Sequence, residues 1–314
     1  MTTSNSVDFE LDAEGLITEA FKVLGIRPAE TPLEAFEIQD GLTAVNLMLK
    51  SWQQQGFHLW TEDEGVIFLD KGKESYLLGP TGDEACQLDD FIGTASTADN
   101  VTTDVIIAVT DSTGMVAGDF AGILLDTGVR FWTTIFSVDT SLQITLAGSL
   151  PSAAASGASL FTFTDLIQRP LRISSSRRKI FAVDSEIEVL SWSRNEYFKQ
   201  VNKSGQGTVV QAYYSPLRVN GRYYVWQTAN SANTYLRVSF ERPIEDVDLT
   251  TETLDIPQEW QETVIYNLAA RLTASYTVPA QKQSTIISVA GAMLEASLGW
   301  DEEMESINLQ VDFT

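Results

Sequence analysis

The predicted fold rests first on one stretch of sequence, Thr31-Pro-Leu-Glu-Ala-Phe-Glu-Ile-Gln-Asp-Gly-Leu-Thr-Ala-Val-Asn-Leu-Met-Leu-Lys-Ser-Trp52, which has the start signal and the apolar face of a long helix. Thr31 suits the N-cap, Pro32 suits the first helical position, and Glu34 completes a T-x-x-E capping box. Apolar residues then recur at alternating spacings of four and three, which places them on one helical face. They are Ile38, Leu42, Val45, Leu49 and Trp52. The stretch therefore predicts an amphipathic helix that packs on a core and ends at Gly56.

Helical patterns also precede this stretch and return near the other end of the chain. Upstream, apolar residues between Leu16 and Leu24 have helical spacing and are followed by Gly25, a common helix end. These two segments predict an antiparallel helical hairpin. Downstream, Pro257 opens a segment in which apolar residues recur every four positions, and a last helix runs to Gly299. The recurring residues are Trp260, Val264 and Leu268. We expect these three, with the five apolar residues above, to form the core of one helical bundle.

The middle of the chain has the pattern of strands. Short apolar runs rich in β-branched and aromatic residues alternate with glycine-containing turns. The runs are 66–69, 75–78, 105–109, 123–125, 131–138, 142–146, 160–163, 172–173, 179–183, 187–192, 208–214, 222–227 and 235–240. The first two runs predict a hairpin, and Asn220-Gly221 predicts a tight hairpin turn. Residues 80–100 are predicted to be a linker that enters an insertion.

These patterns predict an α+β fold: a helical bundle formed by the N- and C-terminal helices, with all-β domains inserted in the middle. The predicted segments are an N-terminal helical hairpin (1–62), a β-hairpin and linker (63–84), an inserted small β-barrel or sandwich (85–165), a second, basic β-region (166–250), C-terminal helices that complete the bundle (251–300) and an extended arm (301–314). In the arm, apolar residues alternate with polar ones, as in an edge strand. They are Ile307, Leu309, Val311 and Phe313.

Composition excludes several classes of site. The chain has 314 residues, a formal net charge of -23, one His and one Cys. The single Cys86 cannot form an intramolecular disulfide, and the single His58 cannot build a multi-histidine metal centre. The first residues have no pattern of a signal peptide, and no apolar run is long enough for a transmembrane helix. We therefore expect no membrane partner.

Catalysis has no positive signal in the sequence. No nucleophile or orienting acid can be assigned to His58, and clustered carboxylates such as Glu62-Asp63-Glu64 are typical of solvated loops. The calcium-loop, H-E-x-x-H, P-loop and G-x-S-x-G motifs are absent from the sequence. We therefore predict that the protein is not an enzyme and holds no metal and no cofactor.

Charge is distributed unevenly along the chain. Residues 166–245 hold 12 basic and 6 acidic groups, whereas the flanking segments are strongly acidic. The densest basic run, Ser174-Ser-Ser-Arg177-Arg178-Lys179, is interpreted as a flexible patch between strands. Two roles are open for Arg177, Arg178 and Lys179. They contact DNA phosphates or an acidic partner surface, or they neutralise neighbouring acids inside the fold or the assembly.

Several segments resemble one known family. The N-terminal ones are Phe21-Lys-Val-Leu-Gly-Ile-Arg27 and Gly41-Leu-Thr-Ala-Val-Asn-Leu-Met-Leu-Lys-Ser-Trp52, which runs into Gln55-Gly-Phe-His-Leu-Trp60; the C-terminal ones are Ile256-Pro-Gln-Glu-Trp260 and Asn267-Leu-Ala-Ala-Arg-Leu272. They resemble the head-to-tail adaptor proteins of short-tailed phages, the group called tail accessory factor or tail tubular protein A. The segment Gly118-Asp-Phe-Ala-Gly-Ile-Leu-Leu-Asp-Thr-Gly128 looks like the β-module of longer members.

The resemblance implies a structural virion protein, made in the host cytoplasm and located in the tail at the portal vertex. Such proteins form a ring, typically of twelve copies, that binds the portal protein and continues the DNA channel. It implies that the arm residues reach toward the portal and that the β-domains receive the next tail component, a nozzle or tail tube. Transient contact with packaged DNA is also implied.

Two other classes of function are open at this point. A β-rich binding module of a tail or adhesin would bind carbohydrate through an aromatic platform, with Trp132 and Tyr223 or Tyr224 as candidate rings. A carboxylate-dependent hydrolase would need two inward-facing carboxyl groups in one cleft. The terminal helices favour the structural adaptor over both.

Overall fold

The computed structural model describes residues 9–26, 31–55, 59–88, 90–181 and 183–300. The α-helices in these ranges are α1 (Ala13–Leu24), α2 (Ala35–Gln53), α3 (Arg194–Lys199), α4 (Gln261–Leu272) and α5 (Ala280–Trp300). The strands are β1 (Glu62–Phe68), β2 (Ser75–Leu78), β3 (Cys86–Leu88), β4 (Ile92–Ala95), β5 (Ile106–Ala108), β6 (Phe120–Leu124), β7 (Arg130–Thr140), β8 (Gln143–Leu146), β9 (Ser159–Phe163), β10 (Arg172–Ile180), β11 (Val183–Glu188), β12 (Leu190–Ser191), β13 (Gln206–Gly207), β14 (Gln211–Ser215), β15 (Gly221–Trp226), β16 (Thr228–Ala229) and β17 (Thr234–Glu241). The chain divides into a helical unit, residues 1–61 with 244–314, and a β-unit, residues 62–243.

The predicted fold class, a helical bundle with inserted all-β domains, is wrong. Strand makes up 33% and helix 27% of the described residues, and the strands form four sheets. The predicted hairpin of runs 66–69 and 75–78 does not form, because β1 pairs with β17 and β3 while β2 pairs with β15. Segments that were predicted to be separate domains thus share sheets, and β-structure becomes the main architecture.

The two N-terminal helices begin and end at identifiable caps. The carboxylate of Asp12 accepts a hydrogen bond from the Gly15 amide at 2.8 Å, which starts α1. Gly25 ends α1 in the left-handed region at φ 62°, as the sequence predicts. The predicted N-cap Thr31 is wrong: α2 begins after Glu34, whose amide donates to the Glu37 carboxylate at 2.8 Å in a capping box of its own. The predicted stop at Gly56 lies outside the described residues, and α2 ends at Gln53.

The helical unit has one hydrophobic core. All eight predicted core residues belong to it: Leu42, Val45, Leu49, Trp52, Trp260, Val264 and Leu268 are buried, and Ile38 is half-buried against them. Helix α4 contacts α1, α2 and α5. Helices α1 and α2 approach closely at Gly41, since a Cβ there would lie 2.5 Å from Cγ2 of Ile17. The core is therefore built from side chains of all four long helices.

Two sheets enclose the main core of the β-unit. Their strand orders are β11-β10-β17-β1-β3 and β12-β14-β15-β2. Strand β17 is central to the first sheet, because it pairs antiparallel with both β10 and β1. The hairpin predicted at Asn220-Gly221 forms, because β14 pairs antiparallel with β15, but its turn is not tight: residues 216–221 connect the paired Ser215 and Arg222, and Gly221 lies in β15 opposite Leu78. These pairings join residues from both ends of the β-unit.

A six-stranded sheet, β4-β9-β6-β7-β8-β5, has its own core in the same unit. The five predicted strand runs between residues 105 and 163 are confirmed as β5 to β9. A bridge between Ser96 and Val109 connects the ends of the two edge strands, so the sheet is partly closed. The predicted linker at 80–100 is wrong, since β3 and β4 lie there as edge strands of two different sheets.

Candidate functional site

The predicted basic patch is part of a regular strand rather than a flexible segment. Arg177, Arg178 and Lys179 lie in β10, between β11 and β17. Successive side chains of a strand point to opposite faces. Arg177 and Lys179 therefore share one face of the sheet, and Arg178 faces the other.

Carboxylates of the same chain surround the two basic groups on the first face. Arg177 forms an ion pair with Glu64 and lies 3.7 Å from Glu186, and Lys179 lies 3.6 Å from Glu186. Arg237 of β17 is 3.9 Å from Glu64 and 3.5 Å from Asp90. These contacts form an ion-pair network in which cations and carboxylates balance within the described residues.

Glu64 is the centre of this network. The hydrogen bond from Arg177, and the charges of Arg177 and Arg237, lower the pKa of Glu64 against a smaller opposing effect of burial. A carboxyl whose pKa is lowered by folding stabilises the native state above its unfolded pKa. That stabilisation is lost as the pH falls through the folded pKa.

We predict that Glu64→Gln lowers the free energy of unfolding at neutral pH by about 1 kcal/mol or less, because the paired groups are partly exposed. The difference from the wild type should shrink as the pH falls below the usual glutamate range, since the wild-type carboxyl is then also neutral. Denaturant unfolding of both proteins from neutral to acid pH measures this. Glu84→Gln is the control, because Glu84 is exposed in the same unit and forms no ion pair with another described residue. A difference that stays constant with pH would contradict the charge-based explanation.

Arg178 has a different environment. It is only 9% exposed, and its Nη1 donates to the Val209 carbonyl at 3.1 Å. Its side chain lines a cavity of about 240 Å³ together with Thr208 and Asn233. Among Arg177, Arg178 and Lys179, Arg178 is therefore the most buried side chain.

Other sequence candidates give no reactive centre in the described part of the chain. No group of three or more His, Cys, Asp and Glu side chains there could hold a metal ion. Cys86 is buried, and burial raises the pKa of its thiol well above the usual value, which keeps it protonated. His58 and the predicted arm residues Ile307, Leu309, Val311 and Phe313 lie outside the described residues.

The predicted aromatic platform is not assembled as expected. Trp132 is half-buried and packs on Phe68 and Phe163 of the β-unit core. Tyr223 is 2% exposed and donates its hydroxyl to Ser176 Oγ at 2.7 Å. Tyr224 stacks on Tyr213 with ring centroids 5.7 Å apart. The first two rings are thus structural core residues.

A different set of aromatic residues lines a cleft of about 330 Å³ in the β-unit. Its walls come from β10, from the β11–β12 segment and from β14. The aromatic residues in the lining are Trp192, Tyr213, Tyr214 and, at the buried end, Tyr223. The sequence contained these rings, but the pairing of β12 with β14 that brings them together leaves no local signal.

Helix α5 presents a surface of unusual composition. Lys282 and Glu295 are the only charged residues among its 21 positions. We name four of its exposed residues, which lie at helical spacings of 4, 7 and 8 from the first and so share a side, the α5 outer face. They are Ser284, Ser288, Gly291 and Ala292, and the exposed Glu295, eleven residues from Ser284, lies on the same side of the helix. The low charge was visible in the sequence, but the exposure was not.

Gly291 is the informative member of the α5 outer face. A Cβ added at Gly291 would meet no described atom within 4 Å. Glycine in a helix interior costs about 1 kcal/mol relative to alanine. The packing of the described residues gives no reason for that cost, and a close approach by another chain would give one.

No protein-family model matches the chain, and no curated protein matches it. No helix in the described ranges combines the length and the hydropathy that a bilayer crossing requires.

Proposed function

We propose that this chain is a non-catalytic structural subunit of a virion, a head-to-tail adaptor that assembles into a ring of twelve copies. In this proposal the ring binds the portal protein on one side and the next tail component, a nozzle or tail tube, on the other. Packaged DNA passes through its channel and contacts it only transiently. The subunit is made in the host cytoplasm and acts in the tail at the portal vertex.

The α5 outer face is the observation that supports this proposal. An exposed helix in an acidic chain normally carries many charges, because charged side chains are favoured in water. The α5 outer face instead has four small uncharged residues, which allow the backbone of another chain to come close, with a single carboxylate, Glu295, beside them. A ring contact joins two different surfaces of identical subunits and closes by rotation. The α5 outer face suits one half of such a contact.

Helix α2 offers a second exposed apolar surface in the same unit. Phe36 and Leu47 are 56% and 60% exposed. They are eleven residues apart, which places them within about 20° of each other around a helix. Asp40 and Thr43 lie between them on the same stripe and are also exposed. A subunit with apolar side chains on one helix and small residues on another has complementary surfaces for a heterologous contact.

Gly291→Ala provides a test in which stability and assembly change in opposite directions. We expect the free energy of unfolding of the isolated chain to rise by about 0.5–1 kcal/mol, because alanine favours the helix and meets open space. Ring formation should weaken, because the added methyl group separates the two chains. Denaturant unfolding measures the first effect, and native mass spectrometry with negative-stain imaging, with and without the portal protein of the same virus, measures the second.

Ala292→Glu makes the test sharper. A second carboxylate on this side of α5, three residues from Glu295, should abolish rings while leaving the fold of the chain unchanged. Asn195→Glu is the matched control, because it adds the same charge to an exposed position of α3 in the β-unit. Monomer alone under all conditions, with portal present, would overturn the proposed function. Rings that are unaffected by Ala292→Glu would show that a different surface makes the contact.

A further inference from the structure

We propose that the cavity beside Arg178 binds a phosphate-sized oxyanion through the guanidinium group of that residue. The cavity has a volume of about 240 Å³. Sites for drug-sized ligands have volumes of roughly 300–1,000 Å³, so this cavity suits one small anion rather than a larger molecule. The inference goes beyond the adaptor function and does not depend on it, since assembly into a ring requires no small ligand.

The strand register places the Arg178 side chain on the inner face of its sheet. Arg178 lies opposite Leu236, and Ile180 lies opposite Thr234. Directly opposed residues of an antiparallel pair share a face, as do residues two apart on one strand. Leu236 is fully buried, so this face is the one that packs on the core of the β-unit. Arg178, Ile180 and Thr234 all line the cavity. The hydrogen bond from Arg178 Nη1 to the carbonyl of Val209, another lining residue, places the guanidinium at the cavity wall.

The charge of Arg178 has no counter-ion in the described part of the chain. Arg178 forms no ion pair there, whereas Arg177 on the opposite face pairs with Glu64. The described cavity lining contains no Asp or Glu. Residues 197–240, which supply most of that lining, contain neither, although the chain has 43 acidic groups. A deeply buried arginine normally has an anionic partner, because an unpaired charge is costly to remove from water.

Uncharged donors make up the other polar groups of the lining. The Thr234 hydroxyl lies on the same face as Arg178. Asn230, Ser231 and Asn233 are exposed, and their side chains form no hydrogen bond with another described residue. The guanidinium of Arg178 has N–H donors beyond the one that contacts Val209. An arginine can donate two parallel hydrogen bonds to a phosphate group, and hydroxyl and carboxamide groups can donate to its remaining oxygens.

The test uses the full chain in phosphate-free buffer, with inorganic phosphate as the probe at constant ionic strength. Titration calorimetry measures binding, and the thermal unfolding midpoint should rise with phosphate, because a ligand of the native state stabilises that state. Arg178→Gln should weaken binding about tenfold or more, since it removes charge-assisted hydrogen bonds. Acetate, a singly charged planar anion, should bind more weakly than phosphate.

Arg218→Gln is the matched control, because Arg218 is an exposed arginine of the same unit that is not in the described cavity lining. It should leave phosphate binding unchanged. Asn233→Asp adds a carboxylate to the lining at an exposed position and should weaken binding about tenfold by repulsion. This second variant decides the question if Arg178→Gln does not fold.

No binding of phosphate by the wild type in the millimolar range would overturn the proposal. Equal binding of acetate and phosphate, or binding that survives the substitutions at Arg178 and Asn233, would overturn it as well. Glucose 6-phosphate distinguishes the two sources of the anion: tighter binding than inorganic phosphate identifies a phosphate ester, and weaker binding identifies free phosphate, each in support of the site. Ring formation is followed in the same samples and should not change, so failure here is distinguishable from failure of the adaptor function.

Discussion

Replacing Trp260 by alanine is expected to lower the free energy of unfolding of the helical unit by about 3–5 kcal/mol. Trp260 is 1% exposed, and its ring lies 5.8 Å from that of Trp52 and 4.9 Å from that of Trp60. The substitution removes an almost fully buried indole of this core and leaves a cavity beside Trp52 and Trp60. The loss combines the transfer free energy of the indole with the lost contacts of the rings around it.

Denaturant unfolding followed by tryptophan fluorescence and circular dichroism measures this effect. Trp260→Phe should cost clearly less, because most of the volume remains and the indole Nε1 has no hydrogen-bond partner among the described residues. Leu249→Ala is the control in the same unit, since Leu249 is 60% exposed and should change stability little. Equal losses for Trp260→Phe and Trp260→Ala would contradict a cavity as the cause.

Arg130→Ala is expected to destabilise the β-unit by about 3–5 kcal/mol. Arg130 is 4% exposed and lies over the rings of Phe68, Phe161 and Phe181, at 5.4, 4.9 and 5.8 Å from their centroids. Its Nη2 donates to the Ala232 carbonyl at 3.2 Å. Burial lowers the pKa of Arg130 to about 10, so the guanidinium is still charged at neutral pH.

Asp70 provides the opposing charge. Burial raises the pKa of Asp70, and the charges of Lys73 and Arg130 oppose that rise. Removing Arg130 therefore takes away a partner of a buried carboxylate and also leaves space among the rings.

Arg130→Met separates charge from packing. Methionine retains an unbranched side chain among the rings and removes the buried charge, so it should cost much less than alanine. Adding Asp70→Asn to Arg130→Met should recover part of the remaining loss, because the buried carboxylate then no longer lacks the second of its two cations, Arg130 beside Lys73. Free energies from urea unfolding at neutral pH give all three comparisons. If Arg130→Met is as destabilising as Arg130→Ala, the cation itself is what the site requires.

The helices and their apolar faces could be predicted because a helix forms its hydrogen bonds within a few residues. The end of α1 at Gly25 follows from a single residue type, and the core positions from Ile38 to Trp52 follow from spacing alone. The beginning of α2 shows the limit of this reasoning. Two capping boxes compete three residues apart, and the pattern alone does not show that Glu34 with Glu37 prevails over Thr31.

The strands could be located but not paired. Strand β1 meets β17 about 170 residues later, and a period of two indicates a strand without naming its partner. The same limit applies to the candidate sites. Arg177 was identified as basic, but its ion pair with Glu64 depends on two sheet pairings. The rings Trp192 and Tyr213 become neighbours only when β12 pairs with β14.

The sequence by itself determined where the helices and most strands lie and which apolar residues are buried in the helical unit. It also determined that the middle segment of the chain is basic and the flanking segments are acidic. Only the tertiary structure decided that β-structure dominates, that the basic run is balanced by carboxylates, and that α5 exposes a side with four small residues and one carboxylate. The physical reason is the range of the interactions. Helix signals act over three or four residues, whereas sheet pairing, ion pairs and clefts join residues that are distant in the chain.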